Sequence, residues 1–236
     1  AGGANSRSVS YRAFNAEKVS TSEIGLKSEW FENRVRFNIA GYHTDYKDMQ
    51  IDFSATNLNN SNRGTLETVN ANGTAKIDGA EVELSYAPIR GLNLSLNYAY
   101  TKGEIPKAPN PFANNALSTL FLVYTPKNAA NFAIDYEKPL NFAKLSAHLD
   151  YSYADGYHSS SSELALTDAS NVVNGRLALS DIKLNKDTRL QIALWSRNLF
   201  NEQHTFYESI GSWAVLGRWG MYNEPRTFGV DFNVKY

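Results

Sequence analysis

The chain of 236 residues contains no cysteine, which excludes a disulfide framework and thiolate metal sites but leaves the compartment open. No segment approaches the roughly 18 consecutive apolar residues of a transmembrane helix. Neither sign of charge is in excess: 23 basic against 24 acidic residues give a net charge of -1. With no Lys/Arg-rich stripe either, a nucleic-acid partner has no electrostatic footprint here. No phosphate-cradling glycine loop and no cofactor motif occurs, so no cofactor is expected. The opening Ala1-Gly2-Gly3-Ala4-Asn5-Ser6-Arg7 lacks the basic region and apolar stretch of a signal peptide. The expectation is that such a segment has been removed or that the chain is not complete.

What is present is alternation. The last eleven residues, Arg226 to Tyr236, put Phe228, Val230, Phe232, Val234 and Tyr236 on one face and Gly229, Asp231, Asn233 and Lys235 on the other. The same period of two recurs in Ile24, Leu26 and Trp30, in Val35, Phe37 and Ile39, in Val82, Leu84 and Tyr86, and in Leu92, Leu94, Leu96 and Tyr98. The pattern predicts nine strands, at 17–31, 35–54, 66–87, 92–104, 127–138, 144–158, 172–184, 189–201 and 225–236, and no helix. Connections alternate between tight turns (32–34, 88–91, 139–143, 185–188) and long, Asn/Ser/Pro/Gly-containing loops (55–65, 105–126, 159–171, 202–224).

Short turns on one rim and long loops on the other are the signature of an outer-membrane barrel. The mean hydropathy of -0.42 does not oppose it, because half of each barrel strand faces a polar interior. A soluble β-sandwich gives the same alternation with its apolar face turned inward, and periodicity does not separate the two. Two features favour the barrel. Several strands exceed the usual ~5 to 6 residues, and the 14 Tyr, 12 Phe and 4 Trp include groups placed for interfacial girdles. Trp30, Phe31, Tyr86, Tyr136 and Tyr236 are expected at the short-turn rim, and Tyr46, Tyr98, Tyr100, Tyr151 and Tyr153 at the other. The alternation breaks near Trp195, which marks either a bulge or the exit of that strand from the bilayer.

The segments Phe14-Asn15-Ala16-Glu17 with Glu23-Ile24-Gly25-Leu26-Lys27, Tyr46-Lys47-Asp48-Met49-Gln50, Gly79-Ala80-Glu81-Val82-Glu83, Arg197-Asn198-Leu199-Phe200 and Pro225-Arg226-Thr227-Phe228-Gly229 follow one another in an order that resembles the TonB-dependent outer-membrane receptors. The resemblance covers essentially the whole chain. It implies an all-β, antiparallel, up-and-down transmembrane β-barrel in the outer membrane of a Gram-negative bacterium. About nine strands against the family's 22 make residues 1–236 an incomplete arc, the C-terminal portion of the barrel, without the plug domain and the N-terminal strands. It further implies active transport of a scarce nutrient of the siderophore, vitamin or carbohydrate class, not enzymatic catalysis. The implied partners are outer-membrane lipid, TonB through the missing plug segment, the barrel-assembly machinery through the strand ending at Tyr236, and an extracellular small-molecule ligand. A passive porin and an outer-membrane barrel enzyme are the alternatives.

Three groups of residues suggest sites. Asn70, Asn72, Thr74, Asp78 and Glu81 have oxygen-bearing side chains at spacings near those of a calcium loop, but Gly73 does not fall where the turn glycine is required. Ser146, His148 and Asp150 have the chemical types of a hydrolase triad, yet residues two apart on a strand lie ~7 Å from each other, too far for its hydrogen bonds. Catalytic and metal residues are therefore not assigned. In the last long loop, His204, Tyr207, Trp213, Arg218, Trp219 and Tyr222 are the aromatic, His and Arg types enriched at recognition surfaces, and they are the candidate ligand contacts. A loop packed on itself is the other reading of the same residues.

Overall fold

A computed structural model describes residues 2–5, 12–56, 64–210 and 217–236. Within them every regular element is a strand. The first ten are β1 (Gly3–Ala4), β2 (Ala13–Phe14), β3 (Lys18–Trp30), β4 (Val35–Lys47), β5 (Gln50–Thr56), β6 (Gly64–Asn70), β7 (Thr74–Ile89), β8 (Leu92–Glu104), β9 (Ala108–Asn110) and β10 (Ala116–Ser118). The rest are β11 (Asn128–Pro139), β12 (Lys144–Ala154), β13 (Ser170–Lys183), β14 (Arg189–Arg197), β15 (Thr205–Ser209), β16 (Trp219–Tyr222) and β17 (Thr227–Lys235). Nine of them form one antiparallel meander in the order β17-β14-β13-β12-β11-β8-β7-β4-β3. The remaining eight pair as two-stranded hairpins at the long-loop end. The meander is open within this chain: β3 and β17 are its edges and do not pair with each other.

The nine wall strands match the nine predicted runs, with corrections at their ends. The predicted run 35–54 is two strands, because Asp48 takes a φ of 55° and turns the chain out of the wall into the β5–β6 hairpin. The run 66–87 is likewise β6 and then β7, separated by Gly73 at a φ of 130°, a conformation L side chains rarely adopt. Alternation is blind to such a kink, since the period resumes in the same phase beyond it. At the opposite rim Phe31, Glu32 and Asn33 all have positive φ and close the β3–β4 turn. Gly91, at a φ of 85°, closes the β7–β8 turn, and a Cβ there would meet the Glu137 carbonyl oxygen at 2.1 Å. The alternation near Trp195 conceals neither a bulge nor an exit: Trp195 stays in register between Arg176 and Gly229. The register shifts of the wall fall elsewhere, between Tyr86 and Ile89 and between Leu179 and Ile182.

Cross-strand partners share a face, so the registers trace rows across the wall. One row runs Trp30, Val35, Tyr86, Leu94, Ile134, Leu149, Gly175, Ser196, Phe228. The row beside it on the same face runs Ser28, Phe37, Leu84, Leu96, Phe132, Tyr151, Val173. Toward the long loops comes Leu26, Ile39, Val82, Tyr98, Ala130, Tyr153. Tyr98, Tyr100, Tyr151 and Tyr153 stand on this apolar face as a girdle requires. Tyr46 does not: it is in phase with Arg36 and Asn38 on the opposite face, and its partner Ala75 is buried there.

Burial is inverted relative to a soluble sheet. Ala75, Ala133, Ala178 and Ala193 are the buried residues of the nine wall strands, whereas Ile24 is 82% exposed, Phe228 79% and Phe232 68%. Leaving one such side chain in water forgoes about 1.5–3 kcal/mol. No second sheet covers the apolar face among the described residues, as a sandwich would demand; the remaining sheets are the short hairpins. The one apolar cluster with buried bulk, Ile51, Phe53, Ala71, Ala108 and Leu120, sits among the long-loop hairpins.

Candidate functional site

The face opposite the apolar rows is lined with polar and charged groups that bridge neighbouring strands. Arg36 Nε donates to Glu29 at 2.8 Å, Asn38 Nδ2 to Glu83 at 2.9 Å, and Asn131 Nδ2 to the Ser152 hydroxyl at 3.0 Å. His148 lies between two carboxylates, its Nδ1 2.7 Å from Asp135 and its Nε2 3.3 Å from Asp150. Asp150 also accepts from Asn174 Nδ2 at 2.9 Å. The Ser146–His148–Asp150 combination is thus resolved into a clamp across β11, β12 and β13, with Asp135 and not Ser146 beside the ring.

Two glycines of this face lie under aromatic rings. Tyr42 covers Gly79 and reaches the Thr101 hydroxyl at 3.2 Å, and Trp195 covers Gly229. The indole Nε1 donates to Asp231 at 3.1 Å, and Arg176 Nη2 lies 3.7 Å from the same carboxylate. A glycine opposite a large ring keeps the pair in register while leaving the ring flat on the strand. Of the residues with calcium-loop spacing, Asp78 lies on the apolar face beside His43, at 2.7 Å, and Glu81 on the polar face, so the wall does not gather them.

At the long-loop end three loops are joined through specific contacts. Tyr124 N donates to the His158 carbonyl at 2.9 Å, and the Phe121 and His158 rings stack with centroids 3.8 Å apart. Asp168 accepts from Thr205 N at 3.0 Å, while Asp168 N donates back to the Thr205 hydroxyl at 3.0 Å. Tyr157 donates to the Phe206 carbonyl at 2.7 Å, and its phenol is held above the usual range by burial, with Tyr124 adding to it. Asp155, just past the end of β12, is held below the usual carboxylate range first by the hydrogen bond from Tyr153 and then by Asn128. Asn198, at a φ of 50°, ends β14 and ties the base of the last loop: its Nδ2 donates to the Glu202 and Glu224 carbonyls at 2.7 and 3.1 Å.

The six loop residues chosen from sequence fare differently. Tyr207 and Trp219 come together on the β15–β16 hairpin, ring centroids 5.1 Å apart, and Tyr222 is exposed at the end of β16. Arg218 is spent on Glu208, its Nε 2.9 Å from the carboxylate. His204 Nδ1 lies 2.6 Å from Glu202 and is largely buried. Trp213 lies outside the described residues. Sequence reading missed Glu208, Asp168 and Thr205, whose importance comes from pairing across loops; only their position near strand-length alternation at 205–209 could have flagged them.

An open antiparallel meander with one uncovered apolar face, one bridged polar face, tight turns at one rim and interlocked long loops at the other defines a segment of a transmembrane β-barrel wall. The chain belongs to the TonB dependent receptor-like β-barrel family, whose model matches residues 1–199. Members of that family are transport receptors of the bacterial outer membrane. Among solved structures, the ferric yersiniabactin uptake receptor FyuA from Yersinia pestis is similar with a TM-score of 0.71 at 18% identity, over 95% of this chain and 30% of that one. The ferric-catecholate import receptor Fiu from E. coli K12 in its closed form gives 0.62 at 20%, over 99% and 29%. The ferric preacinetobactin receptor BauA from Acinetobacter baumannii gives 0.65 at 15%, over 99% and 32%. The chain therefore spans about a third of the length of these neighbours.

Proposed function

We propose that this chain is the C-terminal portion of the barrel domain of a TonB-dependent receptor that imports a scarce nutrient of the siderophore, vitamin or carbohydrate class. The observation that carries the reading is the open nine-stranded meander itself. Its two unpaired edges are costly in lipid, where each unsatisfied backbone group loses several kcal/mol. Nine is odd, so the first and last wall strands run in the same direction. Closure with antiparallel pairs all round thus needs an odd number of further strands, giving an even total as in bacterial single-chain barrels.

In this reading the apolar rows face lipid, and the bridged polar face lines the interior against a plug that contacts TonB. The interlocked long loops face outward, with Tyr207, Trp219 and Tyr222 offering aromatic contact to the nutrient and Trp213 in the same loop. The strand ending at Tyr236 is the one presented to the barrel-assembly machinery. Uptake of labelled candidate nutrients by cells expressing the whole gene tests the function. Uptake that vanishes when TonB is deleted supports it; uptake that persists without TonB indicates a passive pore and contradicts it.

A further inference from the structure

The apolar face changes character toward the long loops. Beyond the Tyr98 row comes Ile24, Gly41, Ala80 and Tyr100, then Ser22, His43, Asp78 and Lys102, then Ser20, Asp45, Lys76 and Glu104, then Lys18, Lys47 and Thr74. Same-face rows are ~7 Å apart along a strand, so one step carries the face from hydrocarbon-like to charged. The acids of this rim are already engaged. His43 Nδ1 lies 2.7 Å from Asp78 and Nε2 3.5 Å from Asp45, and Lys102 Nζ lies 2.6 Å from Glu104.

The lysines are in excess of them. Lys18 and Lys47 are exposed, stand directly opposite each other on neighbouring strands, and close no ion pair among the described residues. Lys76 is exposed in the row below. Like charges directly opposite weaken a strand pair, so an anion laid across this rim relieves a repulsion built into the ladder. Below the lysines, Gly41 and Ala80 leave a shallow depression of about 580 Å³ between Ile24 and Tyr100, opening toward His43 and Asp78.

We propose that this outward rim binds a phosphorylated membrane lipid, with an acyl chain over Gly41 and Ala80 and its phosphate on Lys18, Lys47 and Lys76. The inference rests on the apolar face being the lipid-facing one. A free phosphate would gain nothing from the depression, whereas a lipid uses both halves of the surface. Electrostatic attraction of this kind adds per lysine and is screened by salt.

The test uses the whole receptor purified in detergent, exchanged into mixed micelles with lipid A as the phosphorylated probe, and read by native mass spectrometry. The variant K18Q/K47Q/K76Q should retain at least about fivefold less lipid A than the parent, with the single K47Q variant between them. Lys27→Gln, on the polar face, should leave retention unchanged. Dephosphorylated lipid A should bind parent and variant equally, and millimolar inorganic phosphate should fail to displace the lipid. Equal retention of lipid A by K47Q and the parent, or displacement by inorganic phosphate, overturns the proposal. TonB-dependent uptake measured on the same variants stays intact either way if transport is the function, so failure of this inference leaves that reading standing.

Discussion

Replacing Gly229 by alanine should destabilise the barrel, although alanine is ordinarily the better strand residue by about 0.5–1 kcal/mol. A Cβ at Gly229 would lie 2.6 Å from Trp195 Cζ2, 2.8 Å from Cε2 and 3.1 Å from Nε1. The ring cannot simply step aside, because Nε1 is held to Asp231 at 3.1 Å and Asp231 also faces Arg176. Overpacking of this kind costs about 1–3 kcal/mol, and tilting the indole also weakens its bond to a charged acceptor. A net loss of about 1–2 kcal/mol is therefore expected once the strand-propensity gain is subtracted. The assay is urea unfolding of the whole receptor in detergent, followed by tryptophan fluorescence. A double-mutant cycle with Trp195→Ala isolates the contact: in that background Gly229→Ala should be neutral or stabilising, with a coupling of at least about 1 kcal/mol. A stabilising Gly229→Ala in the parent, or strictly additive effects, would refute the reasoning.

Two further outcomes follow from the faces and the loop contacts. Val230→Arg, on the apolar face between Phe228 and Phe232 and opposite Leu194, should cost roughly 2–4 kcal/mol near the bilayer midplane, whereas Asn233→Ala on the other face should cost far less; assembly yield and unfolding in lipid vesicles compare them. Asp155 has its pKa depressed, so the stability it confers is complete above the ordinary carboxylate pKa of about 3.9 and is lost as pH falls through its lower folded value. Hydrogen exchange of the 155–158 segment should accordingly accelerate only below about pH 4, and Tyr153→Phe, which removes the main cause of the depression, should move that onset upward; an unchanged onset would contradict the assignment.

The wall was legible because its physics is local. Each strand carries its own period of two, and the turns at Glu32-Asn33-Arg34 and Gly91 carry their own backbone preferences. The β5–β6 hairpin was not legible, because Asp48 leaves the wall through a single dihedral that no alternation records. Tyr46 was assigned to the outer girdle from its position along the chain, while its phase with Arg36 and Asn38 places it on the polar face. Trp195 looked like a break in the pattern because bulk on a polar face is unexpected; the missing half was Gly229, 34 residues later, whose vacancy the ring fills. The loop contacts were hidden for a related reason. Asp168 and Thr205 are 37 residues apart, and Ser159 and Glu208 49, so their pairing exists only after three loops have folded onto one another.

The central claim is that hydrocarbon, and not another layer of protein, covers the apolar rows. Because the chain has no cysteine of its own, single cysteines at successive positions 228 to 234 can carry spin labels in the whole receptor reconstituted into bilayers. Alternating accessibility is predicted, with lipid-soluble oxygen reaching 228, 230, 232 and 234 and excluded at 229, 231 and 233. Uniform protection of both sets, or access by a water-soluble relaxant at 230 and 232, would contradict it.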